Sequence, residues 1–301
     1  MFSVWNGLLY TAGWFSCIWF ASLEMPKLAF LSALAPYLMQ IALFFYAKFP
    51  FRLVDAFLGI YALLMGFGLE TLIVSGGLVH YITSPSTAYF PPLWILALYP
   101  LFSTTLNHSL AIVNTHKTFP FLCGLIAPLS YLAGGRLGAC TFPYGFLIAY
   151  MGLALLWILL MYAIVAINGS LAYINTQIEH EFQNQQAAAM LYDGECPLCA
   201  REVHLLQTSN PEANLSYVDI ASKNYEPEKF QNLSYQQAMK QLYVVSDKGE
   251  ILKGVDAFFR LYAKIGWKGL AMALKAPIFH QIFQGLYHLF ARYRLLLTGR
   301  S

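Results

Sequence analysis

Long apolar runs broken by short polar turns fill the first half of the chain. A membrane-spanning helix needs about 20 mostly apolar residues. Six stretches are candidates: Val4–Ser22, Lys27–Ala47, Leu53–Val74, Pro92–Val113, Phe119–Ala133 and Gly145–Ile167. The fifth is short, as a tilted or re-entrant segment would be. The breaks carry turn chemistry: Glu24-Met25-Pro26-Lys27, Lys48-Phe49-Pro50-Phe51-Arg52, Ser84-Pro85-Ser86 and Gly134-Gly135-Arg136. No Lys or Arg precedes the first run, so it lacks the charged region of a cleaved signal peptide and reads as retained.

After Asn168 the pattern changes. Residues 169–187 are rich in Asn, Gln and Glu and read as a polar linker. Beyond them the periodicity is that of short strands and helices. Ala188–Tyr192 is an apolar run, and Val203, Leu205 and Leu206 mark a helix. Leu215–Ile220 alternates like a strand, and Ser234–Lys240 reads as a polar helix. Gln241–Val245 and Glu250–Leu252 flank the hairpin signal Ser246-Asp247-Lys248-Gly249. Asp256–Ile265 is helical. The expected fold is an α-helical transmembrane bundle of about six spans over residues 1–168. A small α/β thioredoxin-like domain over 188–301 follows it, in the order β-α-β-(α)-β-β-α.

Composition sharpens this division. Of 301 residues, 58% are hydrophobic and 11% charged, against roughly 25% charged in a soluble domain. Disorder is excluded, because it needs low hydropathy and high charge, and the mean hydropathy here is +0.53. Residues 1–168 are about 5% charged and residues 169–301 about 19%. The net charge of +3 is too small to point to nucleic acid. With a cytoplasmic N-terminus, Lys48, Arg52 and Lys117 lie inside, and Lys27 and Arg136 outside, a three-to-two bias under the positive-inside rule. An even span count then puts the charged C-terminal domain in the cytoplasm.

The chemistry-bearing motif is Asp193-Gly194-Glu195-Cys196-Pro197-Leu198-Cys199, between the first strand and helix of the second part. Pro is tolerated in a first helical turn, where its missing N–H would be unpaired anyway. A helix N-terminus carries partial positive charge, which favours a thiolate. The two-residue spacing lets Cys199 reach Cys196. Cys196 would then attack a partner disulfide and Cys199 would resolve the mixed disulfide. Asp193 disfavours the thiolate but can accept a proton, and Arg201 and His204 lie close enough in sequence to offset its charge. A zinc half-site and inert structural cysteines are the competing readings. The other cysteines, Cys17, Cys123 and Cys140, fall in the membrane part, and His204 alone does not complete tetrahedral coordination. No metal or nucleotide cofactor is signalled.

Polar groups inside a bilayer are costly and mark candidate sites. Glu70, Asn107, His108 and Arg136 can meet in one intramembrane pocket, or simply bond helices together. Asp55, close to Arg52, reads as interfacial, and Asn6 as a cap or interface residue.

Two resemblances follow. Tyr192 to Cys199, Val218-Asp219, Gly254-Val255-Asp256-Ala257-Phe258 and Phe290-Ala291-Arg292-Tyr293-Arg294 resemble the DCC family of thiol-disulfide oxidoreductases over about residues 188–298. The resemblance implies that Asp193, Cys196 and Cys199 are its named aspartate and cysteines. No proline precedes the strand at Leu242–Val245, where thioredoxins place a substrate-gripping cis-proline, so substrate handling is expected to differ. Residues 1–165 resemble a family of uncharacterised bacterial inner-membrane proteins. Trp14-Phe15, Pro92-Leu93-Trp94 through Thr104–Ser109, and Pro128–Gly138 carry that likeness.

The tail from Ala257 to Ser301 holds seven Lys/Arg and no acid. Its interleaved large apolar residues fit an amphipathic helix on an anionic leaflet or packing on the sheet. The function expected is that of a membrane-anchored thiol-disulfide oxidoreductase, multi-pass in a bacterial inner membrane, with the thiol domain cytoplasmic. Its partners would be the lipid bilayer and a thiol or disulfide protein or small thiol. One alternative is a lipid-modifying enzyme or small-molecule transporter in the bundle, with the thiol domain as regulator or redox supplier. A scaffold for other membrane proteins is another.

Overall fold

The computed structural model describes residues 2–83, 90–184 and 187–297; the turn expected at Ser84-Pro85-Ser86 lies outside them. The chain divides into two compact units, Met1–Ala172 and Tyr173–Ser301.

The first unit is mostly helical. It comprises α1 (Phe2–Ser22), α2 (Pro26–Tyr46), α3 (Arg52–Ser75), β1 (His80–Tyr81), α4 (Leu93–Ser103), α5 (Thr118–Ile126), α6 (Pro128–Arg136), β2 (Cys140–Thr141) and most of α7 (Phe146–Gln183). Among the described residues, four helical runs are long and apolar enough to cross a membrane: α2, α3, the 19-residue run Thr118–Arg136 made by α5 and α6, and α7. The expected six spans are not confirmed, and the difference lies at two places. α1 is 21 residues long, but Asn6, Gly7, Thr11, Gly13 and Ser16 dilute its apolar character. The fourth expected span is broken. α4 ends at Ser103 after 11 residues, and turns and a short 3-10 segment at Ala111–Asn114 follow.

Local chemistry explains that break. The hydroxyls of Ser103, Thr104 and Thr105 each donate to the carbonyl three residues back, at 2.7–2.8 Å. Such back-bonding competes with the helical ladder. Non-helical backbone inside a bundle must find other partners. Here Asn6 Nδ2 donates to the Thr104 carbonyl, Asn114 Nδ2 donates to the Leu106 carbonyl, and the Ser109 N–H donates to Asn6 Oδ1. Asn6 is thus a buried brace for the broken helix and not a cap.

The second unit begins in the polar end of α7. The stretch expected as a linker is helical to Gln183. Its acids are satisfied inside the unit: Glu179 pairs with Lys268 at 2.6 Å and Glu181 with Arg260 at 3.1 Å. Lys268 also lies over the Phe182 ring. There follow β3 (Ala188–Tyr192), α8 (Pro197–Ser209), β4 (Leu215–Asp219), α9 (Tyr235–Ala238), β5 (Tyr243–Ser246), β6 (Ile251–Lys253), α10 (Val255–Lys264), α11 (Lys268–Lys275) and α12 (Phe279–Leu297). The sheet order is β4-β3-β5-β6. β3 runs parallel to β4 and antiparallel to β5.

Successive strand residues point to opposite faces, and the core divides accordingly. On one face Ala188, Met190 and Val244 pack with Val203 and Leu206 of α8 and Ala257 and Leu261 of α10. On the other, Leu191, Val245, Ile220 and Ala238 form a smaller cluster. α12 keeps Ile282, Leu286 and Leu289 exposed, while its Tyr287 packs on the first cluster.

Candidate functional site

The central strand β3 delivers the cysteine motif. Tyr192 ends the strand, and the chain turns through Asp193, Gly194 and Glu195 into α8. Cys196 is the N-cap residue of α8, in extended backbone, and Pro197 occupies the first turn. Two bonds hold the turn from within: the Cys196 N–H donates to the Asp193 carbonyl at 3.1 Å, and the Glu195 N–H donates to Asp193 Oδ1 at 3.2 Å. A third comes from the neighbouring strand. Asp219 ends β4 opposite Tyr192, and its Oδ1 accepts the Gly194 N–H at 2.8 Å and the Ala221 N–H at 2.9 Å. A Cβ on Gly194 would collide with the Asp219 carboxylate.

Burial separates the two thiols. Cys196 is 1% exposed and Asp193 2%. Cys199, one turn into α8, is half-buried. It lines a cavity of about 290 Å³ together with Asp193, Arg201, Glu202, Phe258 and Tyr287. The thiol expected to resolve is therefore the more exposed of the two. Arg201 shares this cavity, whereas His204 is exposed on α8 and does not line it. Tyr262 donates to Glu202 at 2.9 Å, and burial pushes its phenol above its ordinary range.

In the first unit the four expected polar residues do not meet. Glu70 is fully buried near the end of α3. Its Oε1 accepts hydroxyl bonds from Tyr99 and Tyr131 at 2.7 Å, and its Oε2 accepts one from Tyr81 at 2.6 Å. Gly66, one turn earlier on the same face of α3, lets the Tyr99 ring lie against the helix; any Cβ there would collide with it. Asn107 and His108 belong to a different cluster, centred on Asp55. Asp55 Oδ2 contacts His108 Nε2 at 3.0 Å, and Oδ1 accepts from Asn107 at 2.8 Å. Asn107 exchanges two amide bonds with Asn168, at 2.8 and 3.1 Å. Phe2, Phe44 and Phe49 surround the His108 ring. Asp55 is fully buried in the first turn of α3, where the side chains of Asn107 and His108 meet it. Arg136 is the last residue of α6 and exposed; it joins neither cluster.

A family model described as a protein of unknown function, DUF2878, matches residues 3–176, more than half of the chain. The chain belongs to this family. A second model, DCC1-like thiol-disulfide oxidoreductase, matches residues 190–300, the region that holds the cysteine pair. An uncharacterized chloroplastic protein of Arabidopsis thaliana is 40% identical over 112 residues, which are 37% of this chain and 52% of that relative. The chain thus spans about half the length of the curated relative it matches. No solved structure matches.

Sequence reasoning named Asp219 only within a resemblance and Asp55 only as interfacial, and it missed Asn168 and the tyrosines around Glu70. Only Asp219 left a local signal, since it ends the alternating run of β4 where a strand meets its loop. The others are joined by contacts across 11 to 61 residues.

Proposed function

We propose that the second unit is a thiol-disulfide oxidoreductase domain of thioredoxin-like type, using Cys196 and Cys199, with the first unit as its anchor in a bacterial inner membrane. The observation that carries this reading is the cysteine pair at the N-cap and first turn of α8, directly after the central strand, with Cys199 open to a cavity. The DCC1-like match over the same residues supports it. The cytoplasmic placement of the thiol unit rests on the basic tail and the distribution of Lys and Arg.

In the forward direction one thiolate attacks the S–S bond of a partner disulfide. A mixed disulfide forms and one partner thiolate leaves. The second thiol then displaces the remaining partner sulfur, leaving a Cys196–Cys199 disulfide and a reduced partner. Two electrons and two protons have passed to the partner. A small thiol or a dithiol protein returns them. Asp193, buried beside the turn, accepts the proton of the attacking thiol. Because Cys199 is the accessible thiol, we assign it the first contact with the partner and assign Cys196 the closing step.

The test is trapping in membranes from cells making the full chain. Cys196→Ser should accumulate mixed disulfides through Cys199, and the double Ser variant none. Adducts through Cys196 alone, in Cys199→Ser, would reverse the assignment. If neither single variant forms adducts, the redox reading is wrong.

A further inference from the structure

Glu70 is fully buried, and it accepts three hydroxyl bonds at 2.6–2.7 Å. Hydroxyl donors on both oxygens favour the carboxylate form, which accepts every bond without having to donate one. A charge buried in a membrane-spanning unit calls for a counter-charge. Among the described residues, no Lys, Arg or His pairs with Glu70.

Beside this carboxylate lies a cavity of about 60 Å³, walled mainly by aromatic rings. Tyr99 stacks on Trp157, with centroids 5.7 Å apart and planes 11° apart. Trp157 donates its indole N–H to the Tyr131 hydroxyl at 3.1 Å, which aims that hydroxyl at Glu70. Trp94 meets Tyr81 edge to face at 5.3 Å. Trp14 closes a further side. Ring faces carry negative quadrupole charge, and cages of them are a recurrent way to hold ammonium groups. A single water needs roughly 10–15 Å³ of such space, so the cavity holds a group of about four to six heavy atoms.

We propose that this cavity binds a small organic cation, an ammonium group carrying methyl or short alkyl substituents, with Glu70 as its counter-charge and Tyr99, Trp157 and Trp94 as its cage. An N–H of the ammonium would bond to the carboxylate, and its alkyl groups would lie on the ring faces. The site lies wholly within the first unit and is independent of the cysteine chemistry.

The experiment uses the purified full chain in lipid nanodiscs, followed by tryptophan emission, since three tryptophans line the cavity. Trimethylammonium chloride is titrated against tert-butanol, a neutral compound with the same three methyl groups on one central atom, and against sodium chloride at matched ionic strength. The expected result is a saturable change with trimethylammonium only. Glu70→Gln, which keeps size and one acceptor, should weaken binding at least about tenfold, as loss of one partner of a buried charge pair does. Trp157→Leu should weaken it as well. If Glu70→Gln does not fold, the wild-type contrast between cation and alcohol decides alone. No saturable change with trimethylammonium, an equal response to tert-butanol, or full affinity in a folded Glu70→Gln protein would each overturn the proposal.

Discussion

Asp219 Oδ1 lies 2.8 Å from the Gly194 backbone nitrogen, so the end of one strand sets the shape of the loop that carries the cysteines on the next. The contact is tight enough that residue 194 has no room for a side chain. Gly194→Ala should push the loop away from Asp219, at a cost of about 1–3 kcal/mol, the usual range for overpacking. Asp219→Ala instead leaves the Gly194 and Ala221 N–H groups without their acceptor, at about 1–3 kcal/mol for each group that water cannot reach. Both variants should raise the rate at which Cys196 reacts with a maleimide, because Cys196 is buried only while the turn holds. An unchanged labelling rate in both would show that Asp219 does not set the loop.

The cysteine motif was legible in the sequence because its parts are local: a strand, a turn and a helix start within eight residues. The sheet was legible for the same reason, through alternation and a hairpin signal. The bundle was legible only as apolar length. Its fourth apolar run read as one continuous helix because hydropathy averages over Ser103, Thr104 and Thr105, whose side chains end α4 by bonding backward. The polar residues were recognised one by one, but their partners were not. Glu70 and Arg136 have the charges to pair, yet α6 ends at Arg136 and leaves it exposed, while Glu70 is served by three tyrosines from distant segments. Asp55 looked interfacial from its neighbour Arg52, and only the turn after α4 brings His108 and Asn107 to it.

The Asp55 cluster should prove structural. Asp55→Leu removes the acceptor of both Asn107 and His108 inside the bundle, and each orphaned group costs about 1–3 kcal/mol. Asp55→Asn keeps one acceptor and should cost less. The thermal midpoint of the full chain in detergent should therefore fall in the order wild type, Asn, Leu, while the redox titration of the cysteine pair stays unchanged. A normal midpoint combined with loss of a cellular phenotype would instead make the cluster a working site.

Tyr262 gives the second unit an alkaline weakness. Burial raises its phenol above the usual range, helped by the neighbouring Glu202 carboxylate. A group whose folded pKa is raised adds stability below its unfolded pKa, about 10 for tyrosine, and that stability is lost as pH rises through the folded value. Stability should thus decline above about pH 10. Tyr262→Phe should be about 1 kcal/mol less stable at neutral pH, for the lost bond to Glu202, and decline less steeply in alkali. Lys264, which burial pushes down, is common to both proteins and cancels in the comparison. Equal alkaline slopes would remove Tyr262 as the cause.

Tyr287 guards a backbone donor at the wall of the thiol cavity. Its hydroxyl accepts the Leu242 N–H at 2.7 Å, and Leu242 and Tyr287 line the same cavity as Cys199. The Leu242 carbonyl is already taken by the Gly254 N–H at 2.9 Å, and Gly254, at φ +59°, passes 3.1 Å from the Tyr287 ring for any added Cβ. The backbone leading into β5 is therefore closed by the chain itself. An extended peptide bound there would need that N–H for its own carbonyl. Tyr287→Phe keeps the ring and frees the donor, at about 1 kcal/mol of stability. Its rate of mixed-disulfide formation with a peptide disulfide should rise relative to the rate with a small disulfide such as cystine, which has no strand to pair. An unchanged ratio would mean that partners approach Cys199 without using the Leu242 N–H, and that the Tyr287 hydroxyl serves only to satisfy Leu242.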